Sequence, residues 1–140
     1  MRNLSGLVIS GSGVFVPSQT INNEELVASF NEYVHRFNRE HAAEIAAGSR
    51  HALLESSCEF IVKASGIRNR FVLDKAGILD PAVMCPRLPE RPDGELSVMA
   101  EMAVAAAREA MAAAEKKPED IDAVICACAA LPRLYPALTA

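Results

Sequence analysis

The chain reads as an α/β protein with a mostly parallel central sheet and flanking helices. Three observations predict this. Leu7-Val8-Ile9 and Ala123-Val124-Ile125-Cys126-Ala127 are apolar runs of the kind buried on both faces of such a sheet. Long stretches of helical periodicity lie between them. Glycine and proline punctuate the changes of pattern, with Gly66 after one helical stretch and Pro118 before the last strand.

Taken in order, Leu7 to Gly11 predicts a short buried strand closed by glycine. Gly11-Ser12-Gly13 invites a dinucleotide-binding reading, but that fingerprint needs a third glycine at the head of a helix. Val14-Phe15-Val16-Pro17 follows instead and is extended, which argues against it. Asn22-Asn23-Glu24-Glu25 is a helix start, with a capping Asn and carboxylates in the first turn. Leu26, Phe30, Tyr33, Phe37, His41 and Ile45 recur at helical spacing and predict one long helix over 24–47. His35 and His41 fall on different sides of it, so they do not share a metal.

A second helix is expected over 51–64, ended by Ser65-Gly66. Arg68 to Leu73 favours a strand, and Asp74 to Gly77 a turn. Pro81, Pro86, Pro89 and Pro92 break any helix over 80–94, a long irregular loop. Ser97 caps the next helix, 98–116, whose Ala-rich stripe allows close packing. The stretch 123–130 is apolar throughout and predicts a strand buried on both faces. Two strong central strands are few for such a sheet, so the chain reads as the front part of something larger.

Composition narrows the function classes. The 140 residues suffice for one domain, and 51% hydrophobic content is globular. A net charge of -4 argues against nucleic acid as the main partner. Cys58, Cys85, Cys126 and Cys128 lack zinc-ligand spacing and read as reduced thiols. Nothing resembles a signal peptide or a membrane span, and a soluble cytoplasmic protein is expected. No metal and no tightly bound cofactor are expected.

Ordered motifs then carry a resemblance. They are Ile9-Ser-Gly-Ser-Gly-Val-Phe-Val-Pro17, Ile21-Asn-Asn-Glu-Glu-Leu26, Ala64-Ser-Gly-Ile-Arg-Asn-Arg70, the Ala-rich helix from Met99, and Ile121-Asp-Ala-Val-Ile125. Together they resemble the N-terminal part of β-ketoacyl-acyl-carrier-protein synthase III, a thiolase-fold condensing enzyme. On this resemblance, residues 1–140 form an incomplete N-terminal thiolase-like half, with a helical insertion at about 29–53 and a Pro-rich loop at about 80–94. The longer 29–53 segment resembles a subgroup acting on medium-length acyl chains.

The implied activity is a decarboxylative Claisen condensation of an acyl-CoA primer with malonyl-acyl-carrier protein, in a homodimer. The implied Cys, His and Asn lie beyond this chain, and Cys126 and Cys128 read as filling of the buried strand. A Trp and an Arg in the family sandwich the adenine of coenzyme A. The matching positions are Phe60, which keeps an aromatic face and equally fits a plain core position, and Ala64, which has lost the cation. Ser56 lies one turn before Phe60, and Lys63 or Arg68 stands near enough to replace the cation. Ala129 matches an acyl-pocket position and Tyr135 an aromatic that closes the partner's pocket; a core Ala and a loop Tyr are the plainer readings. Two alternatives stay open: another thiolase-fold acyltransferase, and a non-catalytic half-fold that binds or dimerises.

Overall fold

The computed structural model describes residues 6, 8–92 and 94–127. The chain divides into two compact units, Pro17–Pro89, and Met1–Val16 together with Glu90–Ala140.

In the first unit, β1 (Gln19–Asn22) runs without a linker into α1 (Asn23–Glu40). Asn22 ends the strand and caps the helix. Its side chain accepts from the Glu25 N–H at 2.8 Å, and the Glu25 carboxylate accepts from the Asn22 N–H at 3.1 Å. β1 pairs antiparallel with β2 (Asn69–Val72), with Ile21 opposite Arg70 and Asn22 opposite Asn69. Ile21 is wholly buried and Val34 of α1 nearly so; these two form the centre of the unit.

The long helix expected over 24–47 is interrupted. His41 leaves helical geometry at φ -107°, ψ 19°, and α2 (Ala42–Ala46) follows. Side chains wrap this corner: the His41 ring lies 4.5 Å from that of Phe37, and Arg50 covers the same Phe37 ring. Glu44 accepts from both His41 and Arg50, which hold its carboxyl below the usual range, Arg50 more strongly.

The expected second helix begins late, as α3 (Cys58–Ser65). Residues 51–57 are irregular because α1 takes up their backbone groups. The Asn38 amide donates to the Leu53 carbonyl and accepts from the Leu53 N–H, both at 2.9 Å. Asn31 does the same for Ser56, at 3.0 and 2.8 Å. The two asparagines are about 10.5 Å apart along a helix axis. Leu53 and Ser56 are about 10 Å apart on an extended chain. The spacings match, so two amides pin an extended segment to the helix.

Asp74 opens a short helix, α4 (Lys75–Leu79), where a turn is expected from sequence. Its carboxylate accepts from the Gly77 N–H at 3.1 Å and the Arg87 N–H at 2.6 Å, which ties the irregular 80–89 stretch to the helix start. In the second unit, α5 (Val98–Ala113) is capped by Ser97, as expected, and stops short of Lys116. The extended 8–14 segment lies against it. The Val14 N–H donates to Glu109 at 2.8 Å, and a Cβ at Gly13 would overlap the Ala106 carbonyl oxygen.

Several expectations need correction. The sheet among the described residues is two-stranded and antiparallel, not mostly parallel. Residues 8–11 and 121–127 form no strand, and Val8, Ile9, Val124, Ile125 and Cys126 are exposed rather than buried. Apolar, β-branched character there needs neighbouring strands to become a sheet, and the described residues supply none. Cys128 and the rest of the last expected strand lie outside the described residues. No helix among the described residues is long and apolar enough to cross a membrane.

Candidate functional site

The N-terminus of α1, one face of α3 and the residues entering β2 enclose a cleft of about 600 Å³. The β1–β2 register places it, because pairing Asn22 with Asn69 sets the start of α1 beside the start of β2. α3 contributes Cys58, Glu59, Val62 and Lys63, which share one side of the helix at i, i+1, i+4 and i+5. Asn23 and Glu24 come from α1, and Arg68 and Asn69 from the approach to β2.

The turn that delivers Arg68 is fixed by local sequence. Gly66 takes φ 73° and ends α3 by donating to the Val62 carbonyl at 2.8 Å. Ser65 Oγ donates to the Ile61 carbonyl and accepts from the Ile67 N–H. Asn23 then grips the same turn. Its Nδ2 donates to the Ile67 carbonyl at 2.9 Å, and its Oδ1 accepts from Arg70 Nη1 at 2.8 Å. Asn23 is 3% exposed, a buried amide with both ends paired.

The cleft is charged and balanced, with Lys63 and Arg68 against Glu24 and Glu59. Among the described residues neither cation is in an ion pair; the acids that are paired lie elsewhere, including Glu25 with Lys75. The Lys75 ammonium and, second, the Asn22 N–H hold the Glu25 carboxyl below its usual range. Lys63 and Arg68 offer charge-assisted contacts to an anionic ligand such as a phosphate, in a space that the carboxylates of Glu24 and Glu59 also line. Among the described residues no group of His, Cys, Asp and Glu is arranged to hold a metal ion.

A second, apolar groove of about 230 Å³ lies in the same unit, lined by Leu26, Val27, Phe30, Ser56, Ile61 and Met84. The site residues expected from sequence are thus divided. Lys63 and Arg68 meet in the charged cleft, and Ser56 lines the apolar groove. Phe60 lines neither and is 64% exposed in this chain. Ala129 and Tyr135 lie outside the described residues. The sequence reading missed Asn23, Glu24, Cys58 and Glu59 as lining groups. A second Asn beside a capping Asn was the available signal, since helix entry needs only one.

No protein-family profile matches the chain. The chain is 56% identical, over 110 residues, to a beta-ketodecanoyl-acyl-carrier-protein synthase of Pseudomonas aeruginosa. The match takes in 79% of this chain and 31% of that relative, so the chain spans about a third of its length. The resemblance to a β-ketoacyl-acyl-carrier-protein condensing enzyme, read from the ordered motifs, is therefore shown.

Proposed function

We propose that the natural protein carrying this chain is a thiolase-fold condensing acyltransferase of acyl-chain synthesis, and that residues 1–140 supply part of its thioester-binding face. The observation that carries this reading is the 56% identity to a synthase whose name specifies a ten-carbon β-ketoacyl product. In the reaction, an acyl-CoA primer passes its acyl group to a cysteine thiolate and releases the coenzyme A thiol. Malonyl-acyl-carrier protein then loses carbon dioxide. The carbanion left behind attacks the acyl-enzyme carbonyl, a carbon–carbon bond forms, and the thiolate departs.

Within this chain we assign the charged cleft to the phosphorylated end of coenzyme A. Lys63 and Arg68 face its phosphates, and exposed Phe60 offers a stacking surface at the rim of the same helix. Ser56 belongs to the neighbouring apolar groove. Ala129 and Tyr135 are proposed to shape an acyl pocket in a cytoplasmic homodimer, a medium-length primer fitting the small Ala129.

The test is condensation of acyl-CoA primers with malonyl-acyl-carrier protein by the natural protein, followed by the Lys63→Gln, Arg68→Gln double variant. Loss of two phosphate contacts raises KM for the primer about 10- to 100-fold, with kcat little changed. No condensation with any primer overturns the activity. An unchanged KM overturns the assignment of the cleft alone.

A further inference from the structure

The charged cleft depends on a residue that carries no charge. We infer that Asn23 is a positioning residue for Arg68, holding the Ile67 backbone carbonyl before it and the Arg70 side chain after it so that the Arg68 guanidinium stays over the cleft. This rests on the assignment of the cleft to coenzyme A phosphates. Ile67 precedes Arg68 directly and Arg70 follows two residues later; the Asn23 amide holds the carbonyl of the first and the guanidinium of the second.

Arg68 is itself exposed, with a long side chain and no ion pair among the described residues. Its backbone anchor therefore decides how much of the space around the cleft it samples. The anchor point is firm. Asn23 is the first residue of α1, next to a complete capping box, and its neighbour Asn22 is paired with Asn69 across the strands. Asn23 also lines the cleft, so one amide joins its two walls at the point where the cation enters. An Ala at this position would free the Ile67 carbonyl and the Arg70 guanidinium together. Asp would keep one contact but add charge to an anion site, so the neutral substitution is the cleaner probe.

The experiment is a double-mutant cycle on the natural protein, with coenzyme A itself as the probe in titration calorimetry. Arg68→Gln is expected to weaken binding about tenfold, the loss of one charge-assisted contact. Asn23→Ala is expected to weaken it about fivefold in the Arg68 background and not at all in the Arg68→Gln background. Arg70→Lys keeps the charge and breaks only half the clamp, and is expected to show the same dependence more weakly. It also serves if Asn23→Ala does not fold. An Asn23→Ala effect of equal size in both backgrounds marks a general structural loss and overturns the inference. If Arg68→Gln alone leaves binding unchanged, the assignment of the cleft fails, and the inference with it.

Discussion

Single residues at the ends of elements carry much of the local stability. Glu115 follows α5 with φ 52°, and Lys116 donates back to the Met111 carbonyl at 2.9 Å. Glycine is the residue that takes this left-handed position without strain, so Glu115→Gly is expected to stabilise by about 0.5–1 kcal/mol in urea titration. Gly13 is the opposite case, because a side chain there collides with α5 backbone. Gly13→Ala is expected to lower the melting temperature, and strip the Glu109 carboxylate from the Val14 N–H. Asp74 joins α4 to the loop beyond it. Its backbone partners Arg87 and, second, Gly77 hold the carboxyl below its ordinary value of 3.8. A depressed folded-state value means the stabilisation is present above that ordinary value and is lost as pH falls through the folded one. Melting curves taken from about pH 6 down to about pH 3 should therefore fall on the acid side, and fall less steeply in Asp74→Asn. An identical acid slope in the variant would remove Asp74 from the explanation.

Among the elements, three helix caps were legible and helix partners were not. Asn22, Ser97 and Gly66 announce caps through short-range chemistry, and each caps as read. The apolar periodicity of 24–47 hid the corner at His41, because the interactions that turn the chain there come from Arg50 and Glu44 rather than from a breaker residue. Leu53 and Leu54 lent residues 51–57 the look of a helix, yet Leu54 is 84% exposed. What decides that segment is a pair of asparagines far earlier in the chain, a long-range effect that local pattern does not contain. The charged cleft was half legible: Lys63 and Arg68 stood out as cations, while Asn23 acts only through residues distant in sequence. If the asparagine pins hold 51–57 in place, Asn31→Ala with Asn38→Ala should speed amide hydrogen exchange at Leu53 and Ser56 by about tenfold or more. Exchange at the α3 amides should stay unchanged. Unaltered exchange at Leu53 and Ser56 would show that packing, not the amides, holds the segment.

At the scale of the whole molecule, apolar surface exceeds what the described residues bury. Ile21, Val34 and Ala100 are the buried apolar side chains among them, against exposed Val8, Ile9, Phe71, Val124 and Ile125. Residues 1–140 expressed alone are expected to bind a hydrophobic dye and to self-associate in sedimentation, both reduced by Ile125→Lys. Monomeric, dye-silent behaviour would contradict this reading. The two-strand pairing of Gln19–Asn22 with Asn69–Val72 has one more effect. It closes the chain on itself, so that everything between the strands is a tethered excursion with fixed ends and a free tip at exposed Gly48. Closure entropy grows only with the logarithm of loop length, about 0.6 kcal/mol for each doubling. Inserted length at the tip therefore leaves the strand register almost untouched, and with it the two walls of the cleft. Such a stem lets the excursion be rebuilt for a different reach while the charged groups at its base stay where they are.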